Sequence, residues 1–320
     1  MPEIFLAFLL DLGVGDPVYV WHPARLIGKM IEKAEPFLRN RIYSPKQAGA
    51  VLAFALPALV WMLTAAMILS LSFIHPMLGW LFNFFGIYSA LSIKDLHQEG
   101  MRIYFDLKKF DLETARKSLS RIVGRETQNL DEREVIRAGV ETVAESTVDG
   151  IIAPLFFAAL GGAPLALAYK AVNTLDSMIG HTNERYREFG FFAAKQDELW
   201  NWIPARLSYY LIGLASLFTG GQTRKAFAWG WKDGMNHTQG NGNSVIPEAA
   251  FAGSLGLKLG GPSIYEGCVK EKPFLGNSEK EFDQEDLIKS LKLMMMVSWL
   301  SLIGAMTFCF IIQRSGLKVF

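Results

Sequence analysis

From Gln47 to Ile93 the chain runs 47 residues without an Asp, Glu, Lys or Arg. A helix on the surface of a globular protein keeps a polar face, and this run has none to offer. A bilayer core about 30 Å thick is crossed by about 20 helical residues. The run therefore predicts two membrane spans, about 48–74 and 76–93, turning at His75-Pro76. A third uncharged stretch, Leu293–Gln313, lies between Lys292 and Arg314 and predicts a span at about 293–313. Residues 151–169 have span length, but Pro154, Gly161, Gly162 and Pro164 divide them, which predicts a broken or re-entrant helix. Ile203–Phe218 is a further candidate span, apolar apart from Arg206, Ser208 and Ser216.

Composition agrees with burial in lipid: 51% of residues are hydrophobic and only 20% charged. Thirty-two Lys and Arg stand against 31 Asp and Glu, so a net charge of +1 excludes the bulk attraction that nucleic-acid binding requires. Cys268 and Cys309 are the only two cysteines, too few for a disulfide framework or a thiolate metal cluster. The amino-terminal PEIFLAFLLDLGVGDP carries Asp11 and Asp16 and lacks a basic start and a cleavage site, so it reads as retained. Six Lys and Arg between residues 24 and 46, and ten between 94 and 137, flank the first hairpin of spans. The positive-inside rule makes both loops cytoplasmic.

The polar regions carry helical spacing. Ile93, Leu96, Ile103, Leu107 and Phe110 share one face, Ala115, Leu119 and Ile122 follow a capping Asp111, and Asp131 with Glu134 forms a capping box opening a helix from Glu132 to about Gly150. Period-two runs of Val, Ile and Thr are missing. The expectation is an all-α, polytopic membrane protein with a broken or re-entrant helix and cytosolic helical regions, forming one catalytic domain over 1–320.

Three groups of residues could do chemistry. Glu141, Glu145 and Asp149 stand at i, i+4 and i+8 on one helix face, where like charges repel unless a cation gathers them. Beyond the broken segment come Lys170, Asn173 and Asp176, and then Asp197, Asn201 and Arg206. A re-entrant turn would bring these acids and Lys170 together into a site for a divalent cation and phosphate oxygens. Lys232, His237, Asn241 and Glu248 lie in a glycine-rich stretch whose backbone could approach a ligand closely. No P-loop and no dinucleotide-binding glycine motif is present.

These blocks form a known order. DLGVGDP with HPARLIG, GRETQNL, VETVAESTVDGIIAPLFFAALGGAP, YKAVNTLDSMIGH, DELWNWIPARL and PEAAFAGSLGLKLGGPSIYEG resemble the cobalamin-biosynthesis CobD/CbiB family, adenosylcobinamide-phosphate synthase, nearly end to end. The resemblance implies a multi-pass enzyme of the cytoplasmic (inner) membrane with its active site facing the cytoplasm. It would join the corrinoid adenosylcobyric acid to (R)-1-aminopropan-2-ol phosphate, or a related amino alcohol, through an amide bond, with ATP and Mg²⁺. It also implies association with other cobalamin-assembly enzymes. On that reading Glu141, Glu145, Asp149, Asp176 and Asp197 are the candidate catalytic acids, with Glu145, Asp149 and Asp176 as metal ligands. Lys170, Lys232 and Arg206 are candidates for phosphate, and Asn173, Asn201, Asn241, His237 and Glu248 for binding and orienting substrate. Two other readings are a non-catalytic membrane sensor of the AmpE kind, which has no need of so many acids and bases, and a transporter, for which no inverted repeat is evident.

Overall fold

The computed structural model describes residues 2–16, 22–181, 183–236, 242–265, 267–278 and 280–315. In chain order the helices are α1 (Pro2–Val14), α2 (Pro23–Arg41), α3 (Pro45–Ile74), α4 (Pro76–Tyr88), α5 (Ile93–Lys108), α6 (Leu112–Leu119) and α7 (Glu132–Thr147). A π-helical turn, Val148–Ile152, joins α7 to α8 (Ala153–Ile179). Then come α9 (Phe191–Trp200), α10 (Trp202–Thr219), α11 (Thr223–Trp229), a second π turn at Gly230–Met235, α12 (Val245–Leu255) and α13 (Gln284–Arg314). Four short strands, β1 (Leu259–Gly260), β2 (Ser263–Tyr265), β3 (Cys268–Lys270) and β4 (Phe274–Leu275), precede α13.

Four helical stretches, Pro45–Ile74, Pro76–Lys108, Glu132–Ile179 and Gln284–Arg314, are long and apolar enough to cross a membrane. The architecture is that of an all-α polytopic membrane protein. Phe73 on α3 is 94% exposed and Ile311 on α13 is 61% exposed, surface that water would penalise and lipid accepts. The chain divides into two compact units: Met1–Ser92 with Asp149–Trp202 and Ser301–Phe320, and Ile93–Val148 with Ile203–Leu300.

In the first unit, α3 starts where Ser44 Oγ accepts from the Gln47 amide and Pro45 occupies the first turn. It ends where His75 takes an extended backbone, and the His75 Nδ1 then caps α4 by accepting from Met77 N at 3.2 Å. Ile27 and Ile31 of α2, Leu52 and Leu56 of α3, Leu175 and Ile179 of α8, and Phe189 form one buried core. A Cβ on Gly49 would stand 1.8 Å from the Phe189 carbonyl oxygen, so only glycine lets α3 pass that close. Buried Glu35 ties α2 to the segment after α8, accepting from Arg39 Nε (3.0 Å), Arg185 Nη2 (3.1 Å) and Tyr186 Oη (3.2 Å). The helix α4 stops at Tyr88 instead of running to Ile93, because Ser89 Oγ donates to the Gly86 carbonyl and turns the chain.

The break in α8 falls at Gly161 (φ −155°, ψ 26°) and Gly162 (φ 63°, ψ −156°). Gly162 sits in the left-handed region that a side chain disfavours, and Pro164 cannot continue the ladder. The amide of Ala163, released by the break, donates to Asn83 Oδ1 of α4 at 2.8 Å. Asn83 is the polar residue that an otherwise apolar α4 needs for this purpose, since an orphaned amide at membrane depth is costly.

In the second unit, the Asp131–Glu134 capping box starts α7 as its spacing predicts, with Glu134 N donating to Asp131 Oδ1 at 2.8 Å and Asp131 N to Glu134 Oε2 at 3.0 Å. Gly100 of α5 and Gly139 of α7 give room to Leu291 and Leu287 of α13. The helices α10, α11 and α12 close through Gly213 beneath the Phe227 ring and a Ser216–Ser254 hydroxyl contact of 2.7 Å. β1 pairs antiparallel with β4 and β2 with β3. The sequence reading places no strand here; with two or three residues each, these strands are too short to show a period of two.

Candidate functional site

The first constellation lies in the second unit and is built on α7. Glu141 is buried, and its carboxylate meets the Arg125 guanidinium through Nη2 and accepts from the backbone N of Gly260 at 2.7 Å. Arg125 is equally buried and its Nη1 donates to Ser263 Oγ at 3.0 Å. One turn before Glu141, Arg137 Nη1 donates to the Gly260 carbonyl at 2.5 Å, so α7 grips both ends of the same residue. Gly260 has φ 78° and a Cβ there would stand 2.1 Å from the Pro273 carbonyl oxygen, which reserves the position for glycine. Glu126 completes the attachment, donating its N to the Ile264 carbonyl (2.9 Å) and accepting from Gly267 N (2.7 Å).

Glu248, on the first turn of α12, is buried beside this group, and its Oε1 finds no hydrogen-bond partner among the described residues. Burial pushes its carboxyl up to about 8; Lys272 resists the shift, Glu141 and Glu145 add to it, and Arg125 resists it. Burial also works against the Arg125 and Lys272 cations, but Glu141 holds Arg125 above its ordinary range, and Glu248 with Glu145 does the same for Lys272. Glu145, one turn beyond Glu141, is exposed at the edge of the group.

The Glu248 shift has a consequence for stability. Between the ordinary 4.5 and about 8 the folded chain holds a proton that the unfolded chain has released. Stability then falls as pH rises through that window and levels off above it. Glu248→Gln removes the dependence, so its melting temperature relative to wild type should climb from pH 5 to pH 8.5. Thermal unfolding in mild detergent measures this, and parallel curves for the two proteins would show that Glu248 does not hold the proton.

The second constellation lies in the first unit. Asp149 is the second residue of the π turn after α7, a type of distortion that concentrates at functional positions. Its Oδ2 accepts from Asn173 Nδ2 at 3.2 Å and its Oδ1 lies 3.4 Å from the Tyr169 hydroxyl. That hydroxyl donates to Asn201 Oδ1 at 3.0 Å, and Asn201 Nδ2 donates to Asp197 Oδ2 at 3.0 Å. Tyr169 is fully buried, with Phe157 stacked on it at 5.0 Å between ring centroids and Trp200 against Phe157 at 5.0 Å. Lys170 stands in the field of Asp16, Asp149 and Asp11. Asp16 Oδ1 lies 3.1 Å from His22 Nε2, and the turn before it is held by Tyr88, whose hydroxyl donates to the Gly15 carbonyl.

Of the residues singled out from sequence, Glu141, Glu145 and Glu248 thus belong to the first constellation, and Asp149, Lys170, Asn173, Asp197 and Asn201 to the second. Asp176 is half-buried one turn beyond Asn173, and its carbonyl closes α8 by accepting from Gly180 N at 2.7 Å. Arg206 is half-buried on α10, and Lys232 is exposed on the second π turn. His237 and Asn241 lie outside the described residues. Sequence reasoning missed Arg125, Lys272, Tyr169, Asp11 and Asp16 as members of these groups. Arg125 and the two aspartates stand inside the blocks GRETQNL and DLGVGDP, which were signal enough to ask for a role; nothing around Lys272 marks it.

The second group is dominated by hard oxygen donors, carboxylates and amide carbonyls with a phenol, next to one ammonium and the His22 imidazole beside Asp16. That donor chemistry fits Mg²⁺, which takes one or two carboxylates and completes its shell with phosphate and water.

Comparison with known proteins agrees with the blocks. The family model described as CobD/Cbib protein matches residues 4–294. Cobalamin biosynthesis protein CobD of Clostridium perfringens is 43% identical over 307 residues, covering 96% of this chain and 97% of its own. CobD of Photorhabdus laumondii is 43% identical over 302 residues (93% and 94%), and cobalamin biosynthesis protein CbiB of Salmonella typhimurium is 40% identical over 300 residues (93% of each chain). No solved structure matches. With the family model spanning most of its length and relatives above 40% identity covering nearly all of it, the chain belongs to the CobD/CbiB family of cobalamin biosynthesis proteins.

Proposed function

We propose that this protein makes adenosylcobinamide phosphate by joining the free propionate of adenosylcobyric acid to (R)-1-aminopropan-2-ol phosphate, or a related amino alcohol, at the expense of ATP and with Mg²⁺. The reaction would take place at the cytoplasmic face of the inner membrane, on the side where Lys and Arg cluster between residues 24 and 46. The observation that carries the reading is the network running from Asp149 through Tyr169 and Asn201 to Asp197, with Lys170 beside it. Ionisable groups inside apolar helices are expensive and are kept where a substrate needs them.

A carboxylate does not react with an amine until its oxygen is converted to a leaving group, and MgATP supplies the phosphoryl group for that conversion. Asp149 and, farther along α8, Asp176 would hold the metal. Lys170 would balance phosphate charge, the task for which a half-buried ammonium among carboxylates is suited. Asn173 and Asn201 hold Asp149 and the Tyr169 hydroxyl in place, so these groups need no reorganisation when substrate arrives. Attack on the activated carbonyl requires an uncharged amine, and one of the chain's carboxylates takes the ammonium proton.

The test uses the full chain in lipid nanodiscs with isotope-labelled adenosylcobyric acid, the amino alcohol phosphate and ATP. Formation of an amide product with matching ADP release is expected. Binding without product would favour a sensor, and movement of labelled substrate into vesicles without product would favour a transporter.

A further inference from the structure

The helix α10 is inside out for water. Its buried face is small or polar: Ala205, Gly213 and Ala215 let neighbours approach, and Ser208 and Ser216 donate to the Ala205 and Ile212 carbonyls at 2.6 and 2.8 Å. Its outer face is large and apolar. Ile203, Leu207, Tyr210, Leu214 and Leu217 recur every three or four residues, Phe218 extends the row, and all six are between 38% and 66% exposed. A continuous apolar stripe of this kind marks a surface that something covers.

A bilayer covers it if α10 lies along the membrane surface and not across it. α10 is not among the four stretches long and apolar enough to cross. Its neighbours also oppose an upright position. A Cβ on Gly230 would stand 2.9 Å from the Tyr209 ring, so the second π turn packs against the middle of α10. Lys232 follows two residues later and is exposed. At 1.5 Å per residue Tyr209 lies about 10 Å from one end of α10 and about 15 Å from the other. An upright α10 would carry that ammonium to mid-bilayer depth, where charge is most costly. In the plane of the surface the same residues suit their surroundings. Trp202 and Trp231, 52% and 51% exposed, are rings of the kind that settle at headgroup level. Between Ile203 and Lys232 the chain carries Arg206, Arg224, Lys225 and Lys232 and no Asp or Glu. The next acid, Asp233, is engaged by the fold, accepting from Gly276 N at 2.9 Å. Apolar residues with cations and no acids complement an anionic lipid surface.

We propose, from the membrane character of the chain and independently of the ligase reading, that α10 is an interfacial helix docked on an anionic bilayer leaflet. Its apolar stripe sinks below the headgroups, and Arg224, Lys225 and Lys232 meet the lipid phosphates.

The test uses the full chain in vesicles of phosphatidylcholine mixed with phosphatidylglycerol, in a Cys268→Ser, Cys309→Ser background. A nitroxide is attached through Ile203→Cys, Leu207→Cys, Tyr210→Cys, Leu214→Cys or Leu217→Cys, one at a time, so a variant that does not fold leaves the other four. Relaxation by oxygen against a water-soluble nickel chelate gives the depth of each label. All five should lie at one shallow depth, about 5–10 Å into the boundary between headgroups and acyl chains. Depth that peaks near Tyr210 and falls toward both ends would make α10 a span. Spin–spin broadening with little access to either reagent would make the stripe a seam between copies of the chain, and nickel access at all five would leave it in water. Each of these three results overturns the proposal. In phosphatidylcholine alone, nickel access at Leu214→Cys should rise about twofold or more, because the attraction of the cations is lost. Adding Arg224→Gln, Lys225→Gln and Lys232→Gln should give that higher access in both lipids. Equal access in the two lipids with the three cations intact overturns docking on an anionic leaflet.

Discussion

Replacing Arg125 with methionine should destabilise the folded chain by about 3–5 kcal/mol, the usual cost of leaving one member of a buried ion pair without its partner. Both side chains are almost wholly enclosed, at 6% and 4% exposure, so water cannot take over the role of the guanidinium. The loss extends beyond the pair, because Arg125 also reaches Ser263 and the β1 backbone hangs on Glu141 through Gly260. A second substitution, Glu141→Leu in the Arg125→Met background, should recover much of the loss, since two apolar side chains of similar volume replace a buried pair at little cost. Chemical denaturation in mild detergent measures all three proteins. Arg133→Met is the control: that residue pairs with Glu281 at the surface, where an ion pair contributes little. If Arg125→Met behaves like the control, the pair does not organise this group.

The second large effect concerns turnover. Asp149→Asn preserves shape and can still accept from the Tyr169 hydroxyl, but it removes the charge that a metal or a proton would meet. On the ligase reading kcat should fall by on the order of 10²–10⁴, with the protein inserted and folded. Tyr169→Phe is the informative partner. It keeps the ring stacked on Phe157 and deletes only the hydroxyl between Asp149 and Asn201, so a smaller fall in kcat with melting temperature nearly unchanged is expected. Near-normal turnover in Asp149→Asn would remove Asp149 from the chemistry, whatever the family.

Much of the architecture was legible because its causes are local. A charge-free run spells out spans, Ser44-Pro45 and His75-Pro76 spell out where helices begin, and the Asp131–Glu134 spacing predicts its own hydrogen bonds. The double glycine at 161–162 likewise announces its break. What escaped is non-local. Nothing in the neighbourhood of Glu141 says that its partners are Arg125, sixteen residues back, and Gly260, 119 residues ahead. Lys272 joins the same group from a loop between strands too short to leave a pattern. The equal spacing of Glu141, Glu145 and Asp149 suggests a single stripe of ligands. The polar partners differ instead: the first two answer to α12 and the strand loops, and Asp149 answers to Tyr169 and Asn173.

The Asn83 contact also bears on how the chain is made. Residues leave the ribosome in order, so α4 is already in place when the Gly161–Gly162 kink emerges. The acceptor is waiting before the donor exists. An insertion intermediate therefore never has to carry the bare Ala163 amide into lipid, and swapping the order of these two segments by circular permutation should stall biogenesis even though every native contact would be unchanged.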